Sequence, residues 1–296
     1  MKSRDLSIAL LVVVIWGVNF SVIKIGLETL PPILFSALRF AVVAIPAVFF
    51  IPFPKTSVWN VLGVGVFLGV LKFGLLFIAM KADASAGLSS LILQAQVFFT
   101  IGLSVLLYQE RISRYQALGI LVAVAGFGLF FLDAGGNITA MGLMMILAAA
   151  FCWAIANTIM KRMQGVNLLH FMVWVSLVPP LPLLLISYFT ETAQPLDVLL
   201  AATTDTWLAL LYVSYISTLL AFALWGHLLK SYPAATVTPF ALLIPVVGMF
   251  TSTLVLNERM TVTEVAGAGL IFAGLSCCIL GGRLMQAKIR AARQQL

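Results

Sequence analysis

The sequence predicts an all-α membrane protein of ten transmembrane helices, arranged as two inverted five-helix repeats. Of its 296 residues, 62% are hydrophobic and only 9% are charged, whereas about 25% of the residues in soluble domains are charged. Ten apolar stretches follow one another along the chain, each close to the roughly 20 residues that are needed to cross the hydrocarbon core of a bilayer. These observations exclude a soluble enzyme.

Helices are predicted rather than strands because the apolar runs are long and do not alternate with period two. Lipid also requires that every backbone polar group be satisfied within its own segment. The expected spans are residues 6–27, 33–51, 58–80, 85–107, 114–132, 140–160, 169–189, 207–229, 234–256 and 262–282. The connections are short, except for the stretch around residues 190–206.

The basic residues predict the orientation of the chain. With the amino terminus in the cytoplasm, most of them fall on the inner side, including those at residues 2–4, 111–114, 161–162 and 283–293. Both termini are then cytoplasmic, and the basic tail of residues 285–296 is expected to lie against the inner leaflet. The formal charge of +7 does not indicate a nucleic-acid partner, because the basic residues are scattered at the ends of the apolar segments.

An internal repeat divides the chain. Trp16 and Lys24 are eight residues apart, as are Trp153 and Lys161. Further on, a constant offset of 148 residues relates Ala86 to Ala234, Glu110–Arg111 to Glu258–Arg259, Gly119 to Gly267 and Ala125–Gly126 to Ala273–Gly274. The expected repeat units are residues 1–135 and 136–284.

An odd number of helices in each unit means that the second unit enters the membrane from the opposite face, with Arg111 inside and Arg259 outside. Inverted halves of this kind are typical of secondary transporters, in which the halves rock around a central site. Alternating access is therefore the favoured mechanism. The alternative is a gene duplication retained only as a scaffold.

The stretches at residues 9–24, 38–40, 86–96, 147–153 and 243–248 resemble the EamA family of the drug/metabolite transporter superfamily. The resemblance covers nearly the whole chain and implies ten helices in the bacterial inner membrane. It also implies export of small neutral or zwitterionic metabolites, with O-acetylserine and cysteine as the first candidates. Export of other amino acids, threonine-like or aromatic, is the alternative within transport. A non-transporting membrane scaffold or sensor is the alternative from another class.

Lys72 is the most informative buried charge in the sequence. A lysine at this depth costs about 3 kcal/mol on insertion scales, so we expect it to face a cavity that contains the substrate site. Arg39 lies nearer the outer face, where cavity lining and snorkelling are both open. No aspartate or glutamate falls in the middle of a span, which disfavours export of lipophilic cations. The two cations are instead expected to attract the carboxylate of an amino acid.

Other polar and aromatic side chains are candidates for the same pocket. Gln94 and Gln96 point about 200° apart on one helix, so one is expected in the cavity and the other against a neighbouring helix. Asn19 and Asn157 are either substrate-binding residues or interhelical hydrogen-bond partners. The aromatic candidates for the pocket are Trp16, Trp153, Tyr212, Tyr215 and Trp225, with interfacial belts and core packing as the alternatives.

Two further predictions concern movement and ion coupling. Pro239 and Pro245 predict a hinge or a binding wall in the ninth helix, and because the fourth helix has no proline at the related positions, we expect the two helices to differ mechanically. His227 is expected near mid-membrane, where it could couple export to proton antiport, although a lone histidine is more often structural.

No catalytic, cofactor or metal site is expected. The sequence has no Walker loop and no metalloprotease or serine-hydrolase motif. Its three cysteines, Cys152, Cys277 and Cys278, fall inside apolar segments without the spacing of a zinc site, so we interpret them as packing residues.

Overall fold

A computed structural model describes residues 1–110, 112–132, 135–163 and 165–294, with the backbone alone at residues 234–235 and 280–294. The expected inner position of Arg111 and the last two residues of the basic tail lie outside the described residues. Within the described part of the chain the structure is helical, and the only β interaction is an isolated bridge between Ala84 and Ile138.

Ten apolar helices follow one another, which we label α1 to α10. They are α1 Ser3–Gly26, α2 Pro32–Ala47, α3 Val58–Ala82, α4 Ala86–Tyr108, α5 Arg114–Leu132, α6 Ala140–Lys161, α7 Leu168–Thr190, α8 Thr204–Ser231, α9 Thr238–Leu256 and α10 Val262–Gln294. Short helices at Pro195–Ala201 and Ala234–Val237 precede α8 and α9.

Nine of the ten helices in the described residues are long and apolar enough to cross a bilayer. The exception is α2, which has 16 residues and is therefore about 24 Å long at the α-helical rise. Its expected span of residues 33–51 is too long, because the chain leaves the helix after Ala47 and continues in turns. The structure therefore has nine helices of spanning length and a shorter one.

Side-chain contacts divide the helix termini between two ends of the bundle. At the end where α1 begins, here called the amino end, Tyr232 contacts Asp5 and Lys161 contacts Glu110. At the opposite end, called the far end, Glu191 after α7 bonds to the start of α2. Successive helices therefore run in opposite directions.

Several helices are interrupted, and most of the interruptions follow the repeat. Wide π-helical turns occupy Gly65–Lys72 in α3 and Tyr212–Leu220 in α8, which correspond to each other at an offset of 148 to within one residue. The ends of α4 and α9 are also related by this offset, since Gln109 (φ 54°) and Asn257 (φ 55°) both adopt the left-handed conformation. The repeat is thus visible in the backbone as well as in the sequence.

The expected mechanical difference between α4 and α9 is not supported by the helix interruptions. The first part of α9, Thr238–Leu243, is a 3₁₀ helix that contains Pro239. However, α4 is interrupted as well, by a turn between Ile92 and Ala95, although it has no proline there. Packing therefore interrupts α4 without the constraint that proline imposes on α9.

The helix α7 is broken where α3 comes closest to it. Its two parts, Leu168–Val175 and Pro180–Thr190, are joined by a turn. A Cβ atom at Gly69 of α3 would lie 2.1 Å from Cγ of Pro179 in this turn. The glycine is required because no side chain fits between the α3 backbone and the rigid ring of Pro179.

The packing of α5 against α10 shows how the halves are related. A Cβ at Gly119 would lie 2.5 Å from the Gly274 carbonyl oxygen, and one at Gly126 would lie 2.8 Å from the Gly267 carbonyl oxygen. The offset of 148 converts Gly119 into Gly267 and Gly126 into Gly274. Each contact is therefore exchanged with the other by a two-fold rotation, and the two helices run antiparallel. This is the relation that inverted repeats require.

The apolar core consists of a large cluster toward the far end, a small cluster of α2 and α7 beside it, and two clusters at the amino end. The main cluster surrounds Phe77 and joins the far-end parts of eight helices. At the amino end, one cluster of α1, α8 and the segment before α9 contains Trp225, and a second cluster of α3, α6 and α7 contains Phe171. In the described part of the chain, the partly buried Leu168 is the only side chain that packs against both.

We predict that Gly274→Ala destabilises the protein by about 1–3 kcal/mol, because overpacking forces the backbones apart. The new Cβ would lie 2.5 Å from the Gly119 carbonyl oxygen, which cannot move aside as a flexible side chain can. Thermal unfolding of the purified protein in detergent measures the effect. Gly269→Ala is the matched control, since this glycine lies on the same helix with open space around it. Equal melting temperatures for the two variants would contradict the close contact between α5 and α10.

Candidate functional site

Lys72 lies at the end of the π-helical turn of α3 and is only 4% exposed. Its ammonium group is 3.2 Å from the centre of the Phe73 ring and 4.7 Å from that of Trp153 on α6. Among the described residues it has neither a hydrogen bond nor an ion pair. Aromatic faces attract a desolvated cation but supply no acceptor for its N–H groups. The ammonium group is therefore available to an anionic ligand.

Arg39 on α2 is the second buried cation, and it is 3% exposed. Its guanidinium carbon is 4.1 Å from the centre of the same Phe73 ring, and its Nη2 donates a hydrogen bond of 2.9 Å to Thr218 Oγ1 on α8. Its Nε and Nη1 atoms are buried without a partner in the described structure. Burial of the whole guanidinium group excludes the snorkelling alternative.

Neither cation is neutralised by a carboxylate among the residues that the structure describes. The salt bridges between described residues are Lys161–Glu110 and His227–Asp5, and both lie at the amino end. The interior between α2, α3 and α6 therefore has an excess of positive charge.

An aromatic wall on α1 and α8 faces the division between the two amino-end clusters. Trp16 packs at 5.3 Å from both Phe222 and Trp225, and its indole nitrogen donates to the Ser217 carbonyl oxygen at 3.0 Å. Its repeat-related counterpart, Trp153, packs on the α3, α6 and α7 cluster. The two tryptophans therefore belong to different walls.

Asn19 adds an acceptor to the first of these walls. It lies one turn beyond Trp16 on α1, and its Oδ1 atom is buried without a partner in the described chain. Nearby, Tyr212 Oη donates to the Ile15 carbonyl oxygen at 2.8 Å, so this hydroxyl is already used to join α8 to α1. The asparagine is thus a candidate acceptor, while the tyrosine has a structural contact.

The three remaining amides divide between two roles. Gln96 Oε1 accepts a hydrogen bond of 2.6 Å from Asn157 Nδ2, which joins α4 to α6. Gln94, by contrast, lies in the turn of α4 with its side-chain amide unbonded within the described residues. Gln94 is therefore the amide that is available to a ligand.

Two of the sequence predictions are corrected in position. Tyr215 is 37% exposed and its hydroxyl donates to the Val42 carbonyl oxygen at 3.2 Å, so it lies on the outer surface of α8. The side chain of His227 is 54% exposed at the amino end, where Nε2 is 3.8 Å from Asp5 Oδ1. It is not near mid-membrane, because it comes in the last turns of α8.

The amino end has an open depression of about 500 Å³. It is lined by Lys2, Arg4, Asp5, His227, Ser231 and Tyr232. Tyr232 Oη donates a hydrogen bond of 2.6 Å to Asp5 Oδ2, and this bond raises the pKa of Tyr232. The hydrogen bond fixes the start of α1 to the end of α8.

Two glutamates hold the far end together through contacts that the sequence did not predict. Glu258, after α9, accepts hydrogen bonds from the backbone N–H groups of Ala86 (2.7 Å) and Gly87 (3.0 Å) at the start of α4. Glu191, after α7, accepts from the first N–H groups of α2 in the same way. Because the first N–H groups of a helix have no intrahelical acceptor, a carboxylate there satisfies two donors at once.

Lys24 completes the far end by donating to the carbonyl oxygens of Met80 and Ala84, where α3 ends. Lys161, its repeat-related counterpart, contacts Ser104 and Glu110 at the amino end. The two lysines therefore bind helix termini at opposite ends of the bundle.

Known proteins are similar to this chain over nearly its whole length. The chain is 41% identical to a "Probable amino-acid metabolite efflux pump" of Salmonella typhimurium, over 96% of this chain and 97% of that protein. It is 37% identical to a protein of the same name from Escherichia coli, over 97% of this chain and 98% of that protein. A solved crystal structure superposes with a TM-score of 0.63 at 20% identity and covers 96% of this chain and 99% of its own.

The family comparison agrees with the repeat. The profile of the EamA-like transporter family matches twice, at residues 5–132 and 140–280. The apolar helices and these relatives indicate a multi-pass membrane protein of the transporter class. The chain belongs to the EamA-like transporter family.

Proposed function

We propose that this protein exports small neutral or zwitterionic amino-acid metabolites, with O-acetylserine and cysteine as the first candidates. The buried ammonium group of Lys72, which has no carboxylate partner among the described residues, is the observation that carries the proposal. The names of the Salmonella and Escherichia relatives, which are those of amino-acid metabolite efflux pumps, support the same substrate class.

The substrate carboxylate binds to Lys72 in this proposal, beside Phe73 and Trp153. Charge-assisted hydrogen bonds are the stronger ones, and low dielectric increases their contribution. The substrate ammonium group needs an acceptor, which Asn19 Oδ1 and the amide oxygen of Gln94 can supply. Neutral amide acceptors suit an ammonium group that keeps its own counter-charge within the same molecule, so a zwitterion fits better than a cation.

We further propose alternating access between the two repeat units, residues 1–135 and 136–284. The main core cluster and the glutamate contacts close the far end, while the core at the amino end consists of two separate clusters. With the amino end in the cytoplasm of the bacterial inner membrane, this conformation receives substrate from inside. Rocking about the α5–α10 crossing then requires the far-end contacts to separate.

His227 has no part in this mechanism, because a side chain at the amino end is not exposed alternately to the two sides of the membrane. Export of threonine-like or aromatic amino acids by the same residues is a second candidate, since Lys72 and Asn19 contact groups that all amino acids share.

Counterflow into proteoliposomes tests the substrate class. Proteoliposomes that contain the purified protein and are loaded with unlabelled O-acetylserine or cysteine are expected to accumulate the labelled compound. Lysine is expected to give less exchange, because the positive charge of its side chain is repelled by Lys72. Empty liposomes supply the background. Exchange of lysine alone would contradict the proposed zwitterion selectivity, and the absence of exchange with every amino acid would favour the scaffold or sensor alternative.

We predict that Lys72→Met lowers transport at least about tenfold, because loss of one charge-assisted hydrogen bond costs about 1.5–3 kcal/mol. Counterflow rates at equal amounts of folded protein measure the effect. Lys55→Met, which removes an exposed lysine from the loop before α3, is the control and is expected to transport normally. Unchanged flux in Lys72→Met would remove this residue from the site.

We predict that Glu258→Gln opens the far end more often, because a neutral amide oxygen is a weaker acceptor for the α4 N–H groups. Labelling of Leu91→Cys by a membrane-impermeant maleimide, in a background without the three native cysteines, measures the opening. Glu28→Gln is the matched control, since this exposed residue lies at the same end. Equal labelling rates in the two variants would show that Glu258 does not hold the far end closed.

A further inference from the structure

The interface between α2 and α8 holds buried polar atoms that bond to nothing in the described part of the chain. They are Arg39 Nε, Arg39 Nη1, Ser36 Oγ and Ser214 Oγ. Ser36 and Ser214 are completely buried. An unsatisfied buried polar group destabilises the folded protein, because it loses its hydrogen bonds to water without replacing them. Four of them at one interface therefore indicate that something else binds there.

The register of the two helices brings these atoms together. Both helices begin at the far end, where the hydroxyl oxygens of Thr29 and Thr206 are 2.7 Å apart, a separation of 177 residues in sequence. This contact fixes one end of the interface. The hydrogen bond between Arg39 and Thr218, which are 179 residues apart in sequence, fixes the other end. Ser36 and Ser214 are separated by 178 and lie between these contacts. The register therefore places the two serines at the same level of the interface, about one helical turn before Arg39 and Thr218.

The two serines also lack the bond that buried hydroxyls in helices commonly make. Ser176 Oγ, for comparison, donates to the carbonyl oxygen of Met172, four residues earlier in the chain. Ser36 and Ser214 make no such bond. Both hydroxyls are therefore free to donate into the interface.

The charge of the cluster defines the ligand. Arg39 contributes one positive charge, and its charged neighbour is Lys72, a second cation that packs on the same Phe73 ring. The rings of Phe40 and Phe73 cover the guanidinium group, but its N–H donors lie in its own plane and still need acceptors. The cluster thus has donors and a positive charge, and the acceptor with a negative charge is missing.

We propose that Arg39, Ser36 and Ser214 bind a monovalent anion of halide size, which is chloride under physiological conditions. One negative charge balances the guanidinium charge, and the serine hydroxyls complete the coordination. A phosphate or sulfate ion would bring a second charge, and an amino-acid carboxylate would need a path for the rest of the molecule through fully buried residues. The proposal does not require Lys72 as a ligand of the anion, and it does not depend on the proposed export activity.

The position of the site gives the anion a structural role. α2 belongs to the first repeat and α8 to the second, so the ion connects the two halves. Thr218 Oγ1, which accepts from Arg39, also donates to the Val213 carbonyl oxygen at 2.9 Å within the π-helical turn. The anion therefore also stabilises the irregular part of α8 through Arg39.

Thermal unfolding in detergent tests the proposal. Sodium gluconate is replaced stepwise by sodium chloride or bromide at constant ionic strength. A ligand that binds only the folded state raises the melting temperature by mass action. With either halide we therefore expect a rise that follows the logarithm of the halide concentration above the dissociation constant, and with sulfate no rise. An unchanged melting temperature, or one that changes linearly with concentration, would overturn the proposal, since the first indicates buried water and the second a general salt effect.

Variants locate the response. The double variant Ser36→Ala/Ser214→Ala is expected to raise the chloride dissociation constant, fitted from the melting temperatures, at least tenfold. Ser176→Ala removes an equally buried hydroxyl from α7 and is the matched control, with the wild-type dissociation constant expected. Equal dissociation constants in both variants would place the anion elsewhere. Anomalous scattering from bromide in crystals then gives a direct position, expected within hydrogen-bond distance of Arg39 Nε, and a peak only at another site would also overturn the proposal.

Discussion

Lipid offers no hydrogen-bond partner, so every backbone N–H and C=O group at membrane depth must be satisfied by the protein itself. This constraint explains why irregular backbone and helix starts lie against other segments in two places. The wide turn of α3 lies against the broken part of α7, and the first N–H groups of α4 donate hydrogen bonds to the Glu258 carboxylate. The interruptions are therefore not defects of isolated helices. They exist because the two halves pack on each other.

The same low dielectric makes the two buried cations informative. Lys72 and Arg39 pack on one aromatic ring, yet their surroundings differ, because Lys72 adjoins Trp153 on α6 while Arg39 is enclosed between α2 and α8. Both are buried without a carboxylate beside them in the described part of the chain, at a cost that a bound anion would offset. An interior of this kind rejects cations and accepts negative groups from outside the chain. The positive charge of this interior therefore restricts which ligands can bind, before the shape of the site is considered.

Much of the architecture could be predicted from sequence, because hydrophobic length and a constant offset of 148 residues are one-dimensional signals. Most of the spans, the repeat and the burial of Lys72 could be predicted in this way, whereas the role of Lys72 in the site stays a prediction. The π-helical turns and the break in α4 could not be predicted, since they depend on which helix lies opposite. Tyr215 and His227 were misplaced for the same reason: composition gives the depth of a residue only approximately and says little about its face. The contacts of Glu258 and Glu191 join residues far apart in the chain, which no local pattern indicates.

The reciprocal contacts of Gly119 with Gly274 and of Gly126 with Gly267 have a consequence for ancestry. A contact whose members are exchanged by a two-fold rotation is isologous, the kind that two identical chains make with each other. A free five-helix unit with these glycines could pair with a second copy inserted upside down, through this very surface. Fusion of two such genes would preserve the dimer interface as an internal one, and each half could then acquire its own polar residues.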